Sequence, residues 1–465
     1  MTAQQSHEPW SDLADLDDLA QRQAEADAER HHEPPTPALA FDLERPEFWE
    51  SRPELAHLHQ FARSRIASPW AVLGVALARV IAHVAPHYTL PPIVGAEGSL
   101  NTFYALTGAS GSGKGAATAC AGDAITFGSL ARPEEPSLGT GEGVVATFVR
   151  RVKPIGGQPG GVEQHTTRAL FHCAEVDTLS ALKGRVGSTV TSVLRSAWSG
   201  EQLGFQNADL ERRLVVGRHA YRLCLVVGVQ PERAGVLLDE ADGGMPQRLV
   251  WLPATDPGMP DQRPPELGPI EWRHPDPTGH VAHPGTGRYR LPVCDAATTA
   301  IEHAARARAR GQVDALDGHA LLCQLKVAAA LGFLNGHAEV SDDDWDLAGV
   351  VMAVSDHTRG QIVATLSAKF RAASDARGRA EGQRAIASQE VVDEAATKRV
   401  AHRLRANLTD DWTTRSTARR LLPSRDRDHF EDAIDSLLRV GDIDVEEADF
   451  RGQLRTHYRL ARGAR

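Results

Sequence analysis

Apolar positions along the chain fall into short unbroken runs and longer stretches with helical spacing. Residues 41–60 carry Trp, Phe and Leu at helical spacing, and 69–84 (PWAVLGVALARVIAHV) predict a strongly apolar helix. Pro91 and Pro92 close this helical lead-in. Residues 101–107 (NTFYALT) read as a buried strand running into a glycine-rich turn. Residues 169–173 and 221–229 (YRLCLVVGV) predict two more buried strands, and 248–252 (RLVWL) a fourth. Helical stretches separate them, so the pattern predicts a parallel sheet with helices on both faces.

Beyond the sheet the rhythm changes. Residues 253–284 are rich in Pro, Asp and Gly and read as a linker or surface excursion. Residues 294–373 are almost wholly helical, and Ser341 with Asp344 three residues on has the form of a capping box with Asp in place of Glu. A long charged helical run follows to about residue 408. At the end, 413–422 and 427–440 predict two short helices, and 441–444 and 457–460 a small hairpin. Two helices followed by a hairpin is the order of a winged helix. The expected organisation is a disordered acidic tail (1–37), an N-terminal helical segment (38–95), an α/β core (96–260), a Pro-rich linker (261–290), a helical lid (291–375), and a long helix plus winged helix (376–465).

Composition narrows the picture. At 465 residues the chain is too long for one ordinary core. Aromatic residues are only 5%, so the cores must rest on Ala, Leu and Val, which suits helices and α/β layers. The net charge of −10 means that any contact with nucleic acid must come from local basic patches. Cys120, Cys173, Cys224, Cys294 and Cys323 form no CxxC pair and read as reduced thiols. The histidines lack ligand spacing, so no structural metal is expected. The most apolar stretch is broken by Arg79 and His83 and is too short to span a bilayer. A soluble, cytoplasmic protein without a membrane partner is expected.

The sharpest chemical signal is Gly108-Ala109-Ser110-Gly111-Ser112-Gly113-Lys114-Gly115, which matches GxxxxGK after an apolar strand and before a helix. Glycines let main-chain amides turn inward around phosphates, the next helix presents its positive end, and Lys114 adds a mobile charge. The order strand, loop, helix predicts binding of ATP. Gly115 stands where Ser or Thr normally holds Mg²⁺, so that ligand must come from water or Ser112.

Further on, LFHCAEVDTL runs from apolar residues into Glu175 and Asp177. In P-loop enzymes, acids at such a strand end hold Mg²⁺ and orient the attacking water. One register puts Ala174 at the first acid, makes Glu175 the base and Asp177 an auxiliary acid; the other makes Glu175 the metal-side acid. The bland alternative is a surface pair.

Together, PWAVLGVALARV, LPPIVG, SLNTFYALTGASGSGKG, AEVDTL, SAWSGEQLG, LVVGVQPERA, GGMPQRLVWLPA and LLCQLKVAAALGFLNGHAEVSDDDWDLA resemble P-loop ATPases found beside primase-polymerases of phages, plasmids and mobile elements. More distantly they resemble AAA+ helicases of the minichromosome-maintenance type. The resemblance covers about residues 65–360 and implies a P-loop NTPase core of RecA/AAA+ type. It implies a polar sensor at Gln230, an arginine finger at Arg248 (with Leu249 where the family has Phe) and a basic lid sensor at Lys326. It also implies a pore hairpin over 203–222, whose Arg212, Arg213, Arg218 and His219 would grip a single strand.

In the terminal unit, Arg415, Arg419, Arg420, Arg425 and Arg427 lie near the first helix and the turn after it, and Arg451 and Arg455 near the wing. Many acids interleave, so DNA binding and protein binding are equally open there. The expectation is an ATP- and Mg²⁺-dependent DNA helicase or translocase, assembled as a homohexamer on single-stranded DNA, with duplex contact through the winged helix and priming left to a separate chain. Against it stands a nucleotide-binding regulator or initiator scaffold with weak or no hydrolysis, favoured by the missing oxygens at Gly115 and Ala174. A small-molecule kinase is a third reading, for which the lid and winged helix are surplus.

Overall fold

A computed structural model describes residues 41–153, 160–184, 188–204, 214–238, 244–275, 282–312, 319–450 and 453–463. The acidic tail expected over 1–37 and the candidate strand-gripping residues Arg212 and Arg213 lie outside the described residues. The chain divides into two compact units, Met1–Leu366 and Ser367–Arg465.

The first unit is built on four strands: β1 (Phe103–Thr107), β2 (Arg168–Cys173), β3 (Arg222–Val229) and β4 (Leu249–Pro253). All pair in parallel, in the spatial order β4-β1-β3-β2. Every residue of β1, β3 and β4 is buried, which is why each reads as an unbroken apolar run rather than an alternation. The expected strands are all present, and the fourth runs one residue further than expected, to Pro253. Residues 134–138 run parallel to β2 through backbone bonds such as Glu134 N–H to Arg168 O and His172 N–H to Pro136 O, and extend the sheet at that edge.

The longer helices up to Asn407 are, in chain order, α1 (Pro53–Ser64), α2 (Pro69–His83), α3 (Lys114–Ala124), α4 (Val176–Lys183), α5 (Val190–Ser199), α6 (Asp295–Ala309), α7 (Ala320–Leu334) and α8 (Asp342–Asn407). Helix α2 packs against all four strands, and every residue in it except Arg79 is buried. That burial explains its all-round apolar character. No helix among the described residues is long and apolar enough to cross a membrane.

The box at the start of α8 forms as expected. Ser341 N–H and its hydroxyl both donate to Asp344 Oδ2, and Asp344 N–H donates to Ser341 Oγ. Asp344 is fully buried and also accepts from Arg52 Nη1 at 2.8 Å. The short carboxylate therefore does two jobs, capping α8 and pairing the guanidinium just ahead of α1.

Described parts of 253–284 are not a free linker. Arg63 pairs with Asp256, His57 meets Gly268 O at 2.7 Å, and Trp272 donates to Phe333 O. Ile270–Glu271 also pairs in parallel with Ile125–Thr126.

In the second unit, the C-terminal part of α8 is followed by β5 (Thr413–Thr414), α9 (Arg415–Arg420), α10 (Phe430–Val440), β6 (Ile443–Phe450) and β7 (Gln453–Leu460). The three strands form an antiparallel sheet in the order β5-β7-β6. Val400, Leu404, Leu422, Phe430, Ile434, Leu437, Ile443 and Tyr458 belong to a core of its own. Both hairpin strands run well past the expected 441–444 and 457–460; the added residues include the exposed polar Glu446, Glu447, Asp449, Gln453 and Arg455, so no continuous apolar run marks them.

Candidate functional site

The carboxyl ends of the parallel strands face one edge of the sheet, where α/β proteins commonly bind ligands. Strand β1 ends at Thr107 and the chain turns at once. Gly108 N–H donates to Val229 O, and Ala254 N–H donates to Thr107 O, so the loop is tied to the ends of β3 and β4. Gly111 and Gly113 have φ of 78° and 92°, the left-handed region that a side chain makes costly. These two turns bring the chain round into α3, which begins at Lys114.

Lys114 folds back over the loop. Its Nζ donates to the carbonyls of Gly108 and Ala109, both at 2.7 Å. Burial lowers its pKa, opposed by the charges of Glu175 and Glu232. Beside it lies a cavity of about 340 Å³ lined by residues from β1, α3, β2 and β3, among them Lys114, Gly115, Thr118, His172, Ala174 and Gly228. A Cβ on Gly228 would lie 2.2 Å from Ala174 O, so only glycine lets the end of β3 sit this close to the end of β2.

The acidic positions come to the same edge. Glu175 is exposed at the N-cap position of α4, and its side chain makes no capping hydrogen bond. Asp177, in the first turn of α4, forms an ion pair with Arg233. Gln230 directly follows β3, so the structure brings the loop, Glu175, Asp177 and Gln230 together. Ser112 Oγ is buried without a hydrogen-bond partner and is turned against Gly108, where a Cβ would stand 2.3 Å from it. Thr118 hydroxyl donates to Lys114 O.

Arg248 and Lys326 are not at this edge. Arg248 precedes β4 at the opposite, amino-terminal end of the sheet, is 8% exposed, and sets its guanidinium 5.4 Å from the Trp198 ring centre. Burial lowers its pKa, and the neighbouring Arg195 lowers it further. Lys326 is 1% exposed, donates to the carbonyls of Asn101 and Trp198, and lies 3.5 Å from the Trp198 ring centre. Burial holds its pKa well below that of a free lysine. Asn101 precedes β1, so the length of that strand separates Lys326 from the loop.

Within the segment expected as a pore hairpin, Leu203–Gly204 pairs antiparallel with Val215–Val216, and 205–213 lie outside the described residues. Arg218 is exposed in the turn that follows. His219 is instead buried at φ 54°, with both ring nitrogens unpaired, and burial pushes its pKa down to about 4. Arg415, Arg419 and Arg420 belong to the second unit and are exposed.

Two residues went unremarked in the sequence. His172 lies two positions before Ala174 and so on the same face of its strand; it lines the cavity, with Nε2 3.7 Å from Glu135 Oε2. The hydrogen bond from His172, followed by the charge of Arg79, keeps the Glu135 carboxyl below its usual range despite partial burial. Arg222, fully buried at the start of β3, donates to the carbonyls of Val84, Ala85 and Tyr88, to Ser99 Oγ and to Asn101 Oδ1. Burial lowers its pKa to about 10. An apolar strand beginning YR carries a signal for the second of these, since a charge inside a buried run demands partners.

The donor set for a divalent cation is thin. Gly115 and Ala174 offer no side-chain oxygen, and Asp177 is engaged by Arg233. Mg²⁺ often uses one or two carboxylates plus phosphate oxygens and water, and Glu175 meets that minimum. Among the described residues, no group of three or more His, Cys, Asp or Glu side chains is gathered for a metal.

The fold and this edge define an α/β protein with a four-stranded parallel sheet and a glycine-rich loop at the strand ends. No family model and no curated protein matches the chain.

Proposed function

We propose that this chain is a P-loop ATPase that acts on DNA, resembling the ATPases that accompany primase-polymerases of mobile elements. The observation that carries the reading is Lys114 held on the carbonyls of Gly108 and Ala109, inside a loop whose two left-handed glycines aim it toward the end of β1. A lysine resting on its own loop is poised to exchange two neutral acceptors for the outer phosphates of a nucleotide, a stronger, charge-assisted contact. The amino end of α3 adds its dipole.

In this reading the triphosphate lies along residues 108–115. Glu175 orients the attacking water, and Gln230 beside it hydrogen-bonds the water or the terminal phosphate. Mg²⁺, held through Glu175, would draw off charge from the phosphate oxygens. The second unit, with its helix–helix–hairpin order, is a winged helix that brings nucleic acid to the motor. A hexameric ring would need Arg248 to leave Trp198 before it could serve a neighbouring subunit, since it is buried where it stands.

ATP affinity and phosphate release, with and without single-stranded DNA, test the proposal. Lys114→Ala should abolish ATP binding, and Glu175→Gln should keep binding but stop turnover. Unchanged affinity in Lys114→Ala removes the site. The second reading, a nucleotide-bound switch with little hydrolysis, is favoured by the absence of any carboxylate among the described residues lining the cavity. ATP binding without phosphate release, with or without DNA, would select it.

A further inference from the structure

The second unit carries a groove of about 750 Å³ lined by Arg415, Arg419, Arg420, Arg427, Arg455 and Leu454, among others. The basic groups come from three places in the sequence: α9, the turn before α10, and β7. Among the described residues, no carboxylate lines the groove. Leu454 is 73% exposed there, an apolar side chain among guanidinium groups.

The neighbouring helix has the opposite character. Helix α10 buries Phe430, Ala433, Ile434 and Leu437 and exposes Glu431, Asp432, Asp435 and Arg439. In helix–helix–hairpin units it is the second helix that commonly enters the major groove of a duplex. Here that helix would present three carboxylates and one guanidinium to a polyanion. Arg415 at the edge of the groove is paired with Glu431, so the acidic face begins one ion pair away from the basic one.

We propose that this groove is a channel for the backbone of single-stranded nucleic acid, and that α10 does not enter a duplex. This rests on the reading of the chain as a DNA-acting ATPase and names how the second unit takes its strand. The guanidinium groups hold phosphates, which position a strand without reading its sequence. Leu454 gives an unstacked base an apolar surface. A duplex seated in the groove would bring its second strand toward the acidic face of α10, whereas a single strand need not.

Binding of a labelled single strand of mixed sequence, a homopolymer and the matching duplex to the full chain, over a salt series, tests this. The single strands should bind with similar affinity and more tightly than the duplex. Replacing Arg419 and Arg420 together with Ala should weaken single-strand binding by about tenfold and flatten the salt dependence by about 0.7 per arginine lost. Both side chains are exposed, and an unchanged melting temperature would show that the fold is intact. Asp432→Asn with Asp435→Asn should raise duplex affinity. Unchanged single-strand affinity and salt slope in the double arginine variant overturns the proposal, as does duplex binding that is tighter and sequence-dependent. ATP affinity of the unaltered chain is measured separately. Its absence alongside strand binding through the arginines would overturn the ATPase reading and leave the groove standing.

Discussion

At the scale of single residues, the edge at the strand ends turns on small side chains. Gly228 exists because Ala174 O occupies the space of its missing Cβ. Gly115 is different: nothing lies within 4 Å of where its Cβ would be. A serine fits there without displacing anything, and helix positions gain from losing glycine by about 0.5–1 kcal/mol. Gly115→Ser should therefore keep or slightly raise the melting temperature. It should also increase Mg²⁺-dependent phosphate release by about tenfold, about 1.4 kcal/mol of barrier, by restoring the hydroxyl. Release that is unchanged by the new hydroxyl would mean that the metal side of the site is built elsewhere. The loop, Glu175 and Asp177 were legible in the sequence because each sits at the end of an apolar run, and Gln230 through the resemblance; parallel strands bring such ends to one edge. His172 was not legible. It lines the cavity and meets Glu135, and strand spacing alone does not show which neighbour a side chain meets.

Among the elements, α7 shows how a helix misleads. Its Ala-rich sequence with one lysine suggests a solvated face or a sensor, yet nearly the whole helix is buried and Lys326 is sealed inside. The Lys326 amine donates to two carbonyls and lies over the face of Trp198, and among the described residues no carboxylate is hydrogen-bonded to it. Lys326→Met would fill similar volume but strand the Asn101 and Trp198 carbonyls, at a cost of about 1–3 kcal/mol. Denaturant unfolding should register that loss, while ATP affinity stays within about twofold, since the length of β1 lies between. A large fall in ATP affinity without loss of stability would instead restore the sensor role. The ends of β6 and β7 teach the converse. Polar residues such as Glu446, Glu447, Asp449, Gln453 and Arg455 break any apolar run there, so their extent is set by cross-strand pairing that no local pattern announces.

For the whole molecule, buried histidines and separate cores set the response to conditions. Burial pushes His83, His219 and His319 down to about 4, below the about 6.5 of an unfolded histidine. Between those values the unfolded chain binds more protons than the folded one. Stability is thus complete above pH about 6.5 and is lost as pH falls toward 4. Urea midpoints should drop between pH about 7 and about 5.5, where most carboxylates still ionise, and His83→Phe, which keeps the stack on Phe127, should soften the drop. A flat profile over that range would remove the histidines as the cause. The second unit has its own core around Val400, Leu404, Phe430, Ile434 and Tyr458, so residues 367–465 expressed alone should unfold cooperatively on heating. A broad, non-cooperative melt would show dependence on the first unit. The sequence by itself determined the parallel strands, the glycine loop after β1, the helical run that follows and the cap on α8, because each is written in contiguous residues. Only the tertiary structure decided that Arg248 and Lys326 are buried at the far end of the sheet, that Asp177 is held by Arg233, and that five arginines from three segments share one groove. Those facts depend on which distant residues meet, and desolvation and charge act through space rather than along the chain.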